Sequence, residues 1–227
     1  MSPPRIRPPL GADERTQLVG WLDLQRAIAA WKCEGLSDLD AHRSVLPTSP
    51  FMTMAGIISH LRWTENFWFE IIFLGHPAGG PQFEGPEDAD MMVAGIPLAQ
   101  LLEDYARKCA ASNEIIVAHS LDDLGQFPEY RATETTLRWI MLHMIEETAR
   151  HAGHLDTARE LIDGRTGLGV LTGKLPRQPR EYPPIGSASR VARAGRIAAP
   201  NDLCGATRPV TWSAGFPRGR GRWFGRS

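Results

Sequence analysis

The sequence predicts an all-α protein, built as an antiparallel four-helix bundle with a long crossover loop and followed by a disordered basic C-terminal tail. Three observations support this class. Apolar residues recur at helical spacing in four long segments, no segment shows a convincing two-residue alternation, and the composition changes abruptly after Gly167. Four helices without strands pack most economically as a bundle.

The first two helices follow a short lead. Residues 1–11 are rich in proline and predict an extended N-terminal segment. From Ala12 to Gly35, leucine, isoleucine and tryptophan recur every three or four residues, which predicts helix one. A second pattern of this kind runs from Met52 to Leu74 and predicts helix two, because Gly75 and Pro77 then interrupt it.

The second pair of helices follows a segment rich in glycine and proline. Residues 75–96 contain too many of both for a regular element and predict a long loop, a feature that is often functional in compact domains. Pro97 suits the first position of helix three, which runs to about His119. Thr133 can cap helix four, which ends at Asp163 before Gly164. The bundle domain is therefore predicted over residues 12–167.

Residues 168–227 differ from the rest of the chain in charge and in pattern. They contain eleven Lys/Arg and two Asp/Glu, a charge of +9, so residues 1–167 carry −10 of the total of −1. No helical or strand period survives, which predicts disorder. The acidic body argues against nucleic-acid binding by the bundle. The tail could contact RNA or an acidic partner, although a solvated extension or an out-of-frame readthrough is the simpler interpretation.

Cysteine usage and hydropathy indicate the compartment. Cys33, Cys109 and Cys204 are odd in number and far apart, which suits neither a disulfide framework nor a CxxC metal site. No signal-peptide core and no run of about 20 apolar residues occurs. We therefore expect a cytoplasmic protein that does not insert into a membrane.

The phase of each helix identifies polar residues that face the core. At about 100° per residue, with His60 as zero, Ile57 lies at about 60°, Ile71 at about 20° and Phe67 at about −20°. With His143 as zero, His151 lies at about 80° within the apolar arc of helix four, and Glu147 at about 40° on its edge. His60, Glu147 and His151 are therefore predicted to point inward.

These three residues could hold a metal ion. A buried carboxylate needs a positive partner, and Glu147 and His151, four residues apart, project side by side. A third ligand from a neighbouring helix would leave one face open, as in catalytic zinc sites. A lone inward histidine is more often a hydrogen-bonded core residue, however, and an ExxxH pair is a common helical salt bridge.

Several neighbouring residues receive weaker assignments. His143 and His154 lie at the rim of the same stripe, where they could orient a ligand, replace one or simply be polar. Thr64 could hydrogen-bond a ligand, although a buried threonine usually donates to the carbonyl one turn earlier. Cys33 and Cys109 are expected to pack as small apolar residues and not to act as nucleophiles.

Two stretches resemble the DinB-like superfamily: MAGIISHLRWTENFWF and, about eighty residues later, TLRWIMLHMIEETARHAGHLDTARELIDG. The second resembles the actinobacterial branch related to mycothiol-dependent maleylpyruvate isomerases, whose metal ligands are His, Glu and His. The resemblance covers about residues 10–167. It places the metal ligands on His60, Glu147 and His151 and implies an antiparallel bundle that often dimerises.

The resemblance also implies an activity. Relatives use a divalent metal, usually zinc, to activate a low-molecular-weight thiol for transfer or isomerisation, so we expect zinc, with nickel or iron as alternatives, and mycothiol as co-substrate. The partners would be that thiol and a small electrophile. One alternative is a non-catalytic metal-binding or stress-related bundle. A second is a binding module that acts through the basic tail.

Overall fold

Four long helices account for most of the structure, a computed structural model that describes residues 3–128 and 134–167. They are α1 (Glu14–Lys32), α3 (Met54–Glu65) with its π-helical continuation Asn66–Phe73, α5 (Leu98–Ala118) and α6 (Leu137–Asp163). The short elements are α2 (Asp38–Ala41), α4 (Pro81–Glu84) and a 3₁₀ helix, Ala89–Met91. No β-strand occurs among the described residues, so the all-α prediction is confirmed.

Local capping explains where the long helices begin and end. Side chains of Asp13 and Thr53 accept the backbone N–H groups of the third helical residues of α1 and α3. Gly164, with φ of 75°, adopts the left-handed conformation that ends α6, as predicted. Pro97 is the N-cap of α5 and not its first helical residue, one position from the prediction.

The predicted cap of helix four was wrong. Thr136, not Thr133, caps α6, and its Oγ1 accepts from the N–H of Trp139 at 3.2 Å. Thr133 lies outside the described residues. A distant segment determines where the helix begins. The N–H group of Leu137 donates to the carbonyl of residue 123, and that of Arg138 donates to the carbonyl of residue 121. Thr136 itself has an extended backbone, with φ of −81° and ψ of 157°, so the helix begins after it.

Helix two differs from the regular helix that the periodicity predicted. It begins at Met54, and from Asn66 to Phe73 it is π-helical, with i→i+5 hydrogen bonds in place of i→i+4. The wider turn changes the angular phase, so the positions assigned to Phe67 and Ile71 at 100° per residue do not hold. His60 lies before this change, and its predicted phase is unaffected.

Packing brings the long helices around a shared interior. α1 packs against α6, and α3 packs against both α5 and α6. One core cluster surrounds the first half of α3, and its buried members include Met54, Ile57, Leu61, Leu101 and Leu155. A second cluster surrounds the π segment, and its buried members include Leu22, Phe69, Ile72, Ile140 and Met144. The helices therefore form a bundle, whereas their antiparallel order stays a prediction.

Residues 75–96 are more ordered than their composition predicted. They contain α4 and the 3₁₀ helix, and the latter packs against α3. Glycine and proline oppose long helices, but they allow single turns that begin at proline, as α4 does at Pro81. The prediction of an irregular loop was therefore wrong for these two turns.

The segment before α1 packs against that helix. Residues 3–13 precede α1, and Pro8 lies against it so closely that a Cβ on Gly20 would come within 2.7 Å of the Pro8 Cβ. The predicted disordered tail, 168–227, lies outside the described residues. Within the described part of the chain, none of the helices combines the length and hydropathy needed to span a bilayer.

Candidate metal centre

His60, Glu147 and His151 converge at one point between α3 and α6. Each offers a ligand atom, and these atoms lie within 4.8 Å of one another. The Nε2 atoms of both histidines are 3.2 Å from the same oxygen, Oε1 of Glu147. The imidazole centroids are 4.6 Å apart. The structure thus brings together all three residues that the sequence selected.

Helix phase and packing hold these side chains inward. His60 lies in α3 between Ile57 and Leu61, whose side chains are fully buried. Glu147 and His151 are one turn apart on α6, so they project from the same face. His60 and His151 are each 6% exposed, and the Glu147 side chain is 15% exposed. The cluster is shielded, with its carboxylate nearest to solvent.

The electrostatics of the cluster require a positive charge. Burial alone would raise the pKa of Glu147, but its hydrogen bonds to His151 and His60 outweigh burial and hold that pKa well below its usual value. For His60, burial lowers the pKa, yet contacts with Asp90 and Glu147 raise it to about 9. In the metal-free protein a proton on His60 therefore supplies charge that a metal ion could supply instead.

Asp90 also belongs to this cluster, although no sequence pattern pointed to it. Its Oδ2 is 2.7 Å from His60 Nδ1, and the residue is 2% exposed. Asp90 lies in the 3₁₀ helix Ala89–Met91, inside the glycine- and proline-rich segment. A test based on helical phase cannot be applied to such a segment. The one available signal was the acidic run around it, which is usually solvated.

The neighbouring polar residues divide into two groups. His154 lies next to a proposed ligand, with its Nδ1 3.4 Å from Nδ1 of His151. Thr64 donates to the His60 carbonyl at 2.9 Å, which confirms the bond expected to the preceding turn. His143 instead stacks on Trp139 at 5.3 Å between ring centroids and contacts Trp68 edge-on. It therefore lies on the rim, as the phase of helix four predicted.

Of the two described cysteines, Cys33 is buried and Cys109 is partly buried. Both are free thiols, and burial raises the pKa of Cys33 to about 12. Burial and then the Glu65 carboxylate raise the pKa of Cys109. Because the thiolate is the nucleophilic form, these values support packing roles for both. Cys204 lies outside the described residues.

The fold and the cluster together define a class: helical bundles with a buried His/Glu/His group that could hold a metal ion. The sequence model of the mycothiol-S-transferase family matches residues 17–164, and the chain belongs to this family. This assignment confirms the DinB-like resemblance noted from the sequence. Comparison with curated proteins and with solved structures yields no match.

Proposed function

We propose that this protein is a metal-dependent thiol S-transferase that uses a low-molecular-weight thiol of the mycothiol type. His60, Glu147 and His151 would hold one divalent cation. The observation that carries the proposal is the convergence of their ligand atoms within 4.8 Å, in a chain of the mycothiol-S-transferase family. Isomerisation of a thiol adduct is the alternative reaction at the same site.

The donor set supports zinc as the cation. Two imidazole nitrogens and one carboxylate oxygen are ordinary zinc ligands, and three protein ligands are typical of catalytic zinc sites and not of closed structural ones. Nickel and iron accept the same donors and remain alternatives. A bound cation of this kind would lower the pKa of a thiol brought to it, so that thiolate is available near neutral pH.

The residues around the cluster would prepare the site for this chemistry. The carboxylate of Glu147 balances part of the cation's charge, and its depressed pKa keeps it ionised at neutral pH. Burial of both histidines limits competition by water. In the transfer, a sulfur–carbon bond forms to the electrophile, the electrophile loses its leaving group, and the thiol proton passes to solvent. Neither described cysteine would supply the reactive sulfur, since Cys33 and Cys109 are held as thiols.

The family match also bears on the domain limits and the partners that we propose. It ends at residue 164, where α6 ends at Asp163, so we place the functional domain within residues 12–167. The partners would be the thiol and a small electrophile, and the bundle could act as a homodimer. The two unpaired described cysteines fit a reducing cytoplasm.

Metal content and turnover test the proposal together. Wild-type protein should take up one equivalent of zinc, measured by elemental analysis, and should conjugate mycothiol to a fluorogenic electrophile. Glu147→Gln and His60→Ala should weaken zinc binding by more than about 100-fold while leaving the helical circular dichroism intact, since direct ligands matter more than groups behind them.

Glu146→Gln is the matched control. Glu146 neighbours Glu147 in sequence, is half-exposed and pairs with Arg150, so its loss should change neither zinc content nor turnover. If Glu147→Gln and His60→Ala both retain zinc at wild-type stoichiometry, the proposed ligand set is wrong. Zinc uptake without conjugation of any electrophile would favour the non-catalytic metal-binding bundle.

A further inference from the structure

Asp90 is a buried carboxylate that contacts the proposed ligand set from behind. Its Oδ2 is 2.7 Å from Nδ1 of His60, whereas Glu147 Oε1 is 3.2 Å from Nε2 of the same ring. An ionised carboxylate can only accept a hydrogen bond, so Nδ1 carries a proton and donates it to Asp90. The two carboxylates therefore bind opposite nitrogens of one imidazole.

This contact determines which nitrogen of His60 is available to a cation. A neutral imidazole has one protonated and one unprotonated nitrogen, and only the unprotonated nitrogen can bind a metal. With one proton held on Nδ1 by Asp90, Nε2 is the nitrogen whose lone pair a cation would take, in place of the proton that Nε2 shares with Glu147. That atom faces Glu147 and lies within the three-residue cluster. Asp90 therefore selects both the tautomer and the orientation that ligation needs.

The second histidine of the cluster has a weaker partner. Nε2 of His151 is 3.2 Å from Glu147, but its Nδ1 faces Nδ1 of His154 at 3.4 Å. An imidazole is a neutral acceptor, and hydrogen bonds to charged acceptors are shorter and roughly twice as strong. His60 is thus the ring that the protein holds more firmly, and Asp90 is the group that holds it.

The chain brings Asp90 to His60 through a close approach of two backbones. The 3₁₀ helix packs on α3 near Gly56, one turn before His60, where a Cβ would lie 3.0 Å from the carbonyl oxygen of Met91. Beyond Asp90, the carbonyl of Val93 accepts from His42 Nε2 at 3.2 Å. The segment is therefore anchored on both sides of the carboxylate.

We propose that Asp90 is a positioning residue that accepts the Nδ1 proton of His60 and thereby presents Nε2 toward Glu147 and His151 for metal binding. This inference rests on the metal site proposed above. It assigns the segment 75–96 a role in building the metal centre, through one side chain. Removing the acceptor should leave all three ligands in place but lower their combined affinity.

Zinc affinity and the His60 ring proton test this role. In Asp90→Ala, competition with a chromogenic chelator should show zinc binding weakened about 10–100-fold, the usual cost of losing a carboxylate behind a ligating histidine. Asp90→Asn keeps the size of the side chain and an uncharged acceptor, so its zinc affinity should fall less than that of Asp90→Ala. In ¹⁵N-histidine-labelled wild-type protein, the Nδ1 proton of His60 should exchange slowly, and in Asp90→Ala it should exchange rapidly.

Glu87→Gln is the control, because Glu87 is an acidic residue three positions before Asp90 but is exposed. It should leave zinc affinity and the Nδ1 proton unchanged. The inference is overturned if Asp90→Ala keeps wild-type zinc affinity, or if its Nδ1 proton stays protected. If wild-type protein binds no zinc, the proposed function fails, and the proton measurement on metal-free protein alone decides whether Asp90 holds His60.

Discussion

Helix α3 carries two buried polar clusters that obtain their positive charge in different ways. At its C-terminal end, Glu65 is fully buried and accepts from Nε and Nη2 of Arg26 at 2.7 and 2.6 Å. Nη1 of the same arginine donates to Asn113 and Asp23. This bidentate pair joins α1 to α3, and its cation is part of the chain.

Five residues earlier, His60 belongs to a cluster whose cation is exchangeable. Two imidazoles meet the carboxylates of Glu147 and Asp90, and in the metal-free protein a proton on His60 supplies positive charge to the cluster. A proton can leave and a metal ion can replace it, whereas a guanidinium stays charged. The comparison separates a cluster whose charge is fixed in the chain from one that we propose to bind a metal ion.

The largest effect is expected at the arginine. Arg26→Ala should lower the free energy of unfolding by about 3–5 kcal/mol, because Glu65 would be left as an unpaired buried charge. For a chain of this size that corresponds to a fall in the melting temperature of roughly 6–20 °C.

A double variant, Arg26→Met with Glu65→Leu, is the control, since replacing a buried pair by apolar residues is often nearly neutral. Thermal unfolding measures the stability of the single variant and of the double variant. A single Arg26→Ala variant that is as stable as wild type would show that the pair does not fix the fold, and the contrast with the metal centre would be lost.

Zinc should stabilise the protein through the other cluster alone. At a free zinc concentration 100 times the dissociation constant, the free energy of unfolding should rise by about 2.7 kcal/mol. The melting temperature should then rise by about 5–10 °C, and a chelator should reverse the change. Glu147→Gln should lose this increment and the Arg26→Ala variant should keep it. An increment that disappears with Arg26 would mean that the two clusters act as one unit.

The pH dependence of the metal-free protein should also come from His60. Its pKa is raised from 6.5 to about 9, so its contribution to stability is fully present below pH 6.5 and is lost as pH rises through 9. Arg26 keeps its charge over this range, so it does not make the melting temperature depend on pH. Melting temperatures from pH 6 to 10 should therefore fall more steeply in wild type than in His60→Gln. Parallel curves would contradict the assignment.

The smallest effect concerns the thiol beside the ion pair. Cys109 Sγ lies 3.9 Å from Glu65, and burial together with that carboxylate raises the thiol pKa. Alkylation of Cys109 by iodoacetamide, followed by peptide mass spectrometry, should be much slower in native than in denatured protein. Equal rates would show an accessible thiolate. A thiol at the metal centre should behave in the opposite way, because a cation lowers its pKa.

The sequence by itself determined the helical class and the three proposed ligands. Helical phase depends on residues three and four positions apart, so the inward direction of His60, Glu147 and His151 follows from local spacing. The two DinB-like stretches contain the same residues and indicated the family that the sequence model confirms. The metal role of these residues is still a proposal, but their convergence was predictable.

The tertiary structure alone decided which distant groups surround them. Arg26 meets Glu65 across 39 positions, Asp90 meets His60 across 30, and the start of α6 is set by carbonyls of residues 121 and 123. The π turn from Asn66 likewise ended the regular phase on which sequence reasoning relies. Such pairings depend on how helices pack and on the path of an irregular segment. Neither has a local period in the sequence, because the contacts form only when the chain closes on itself.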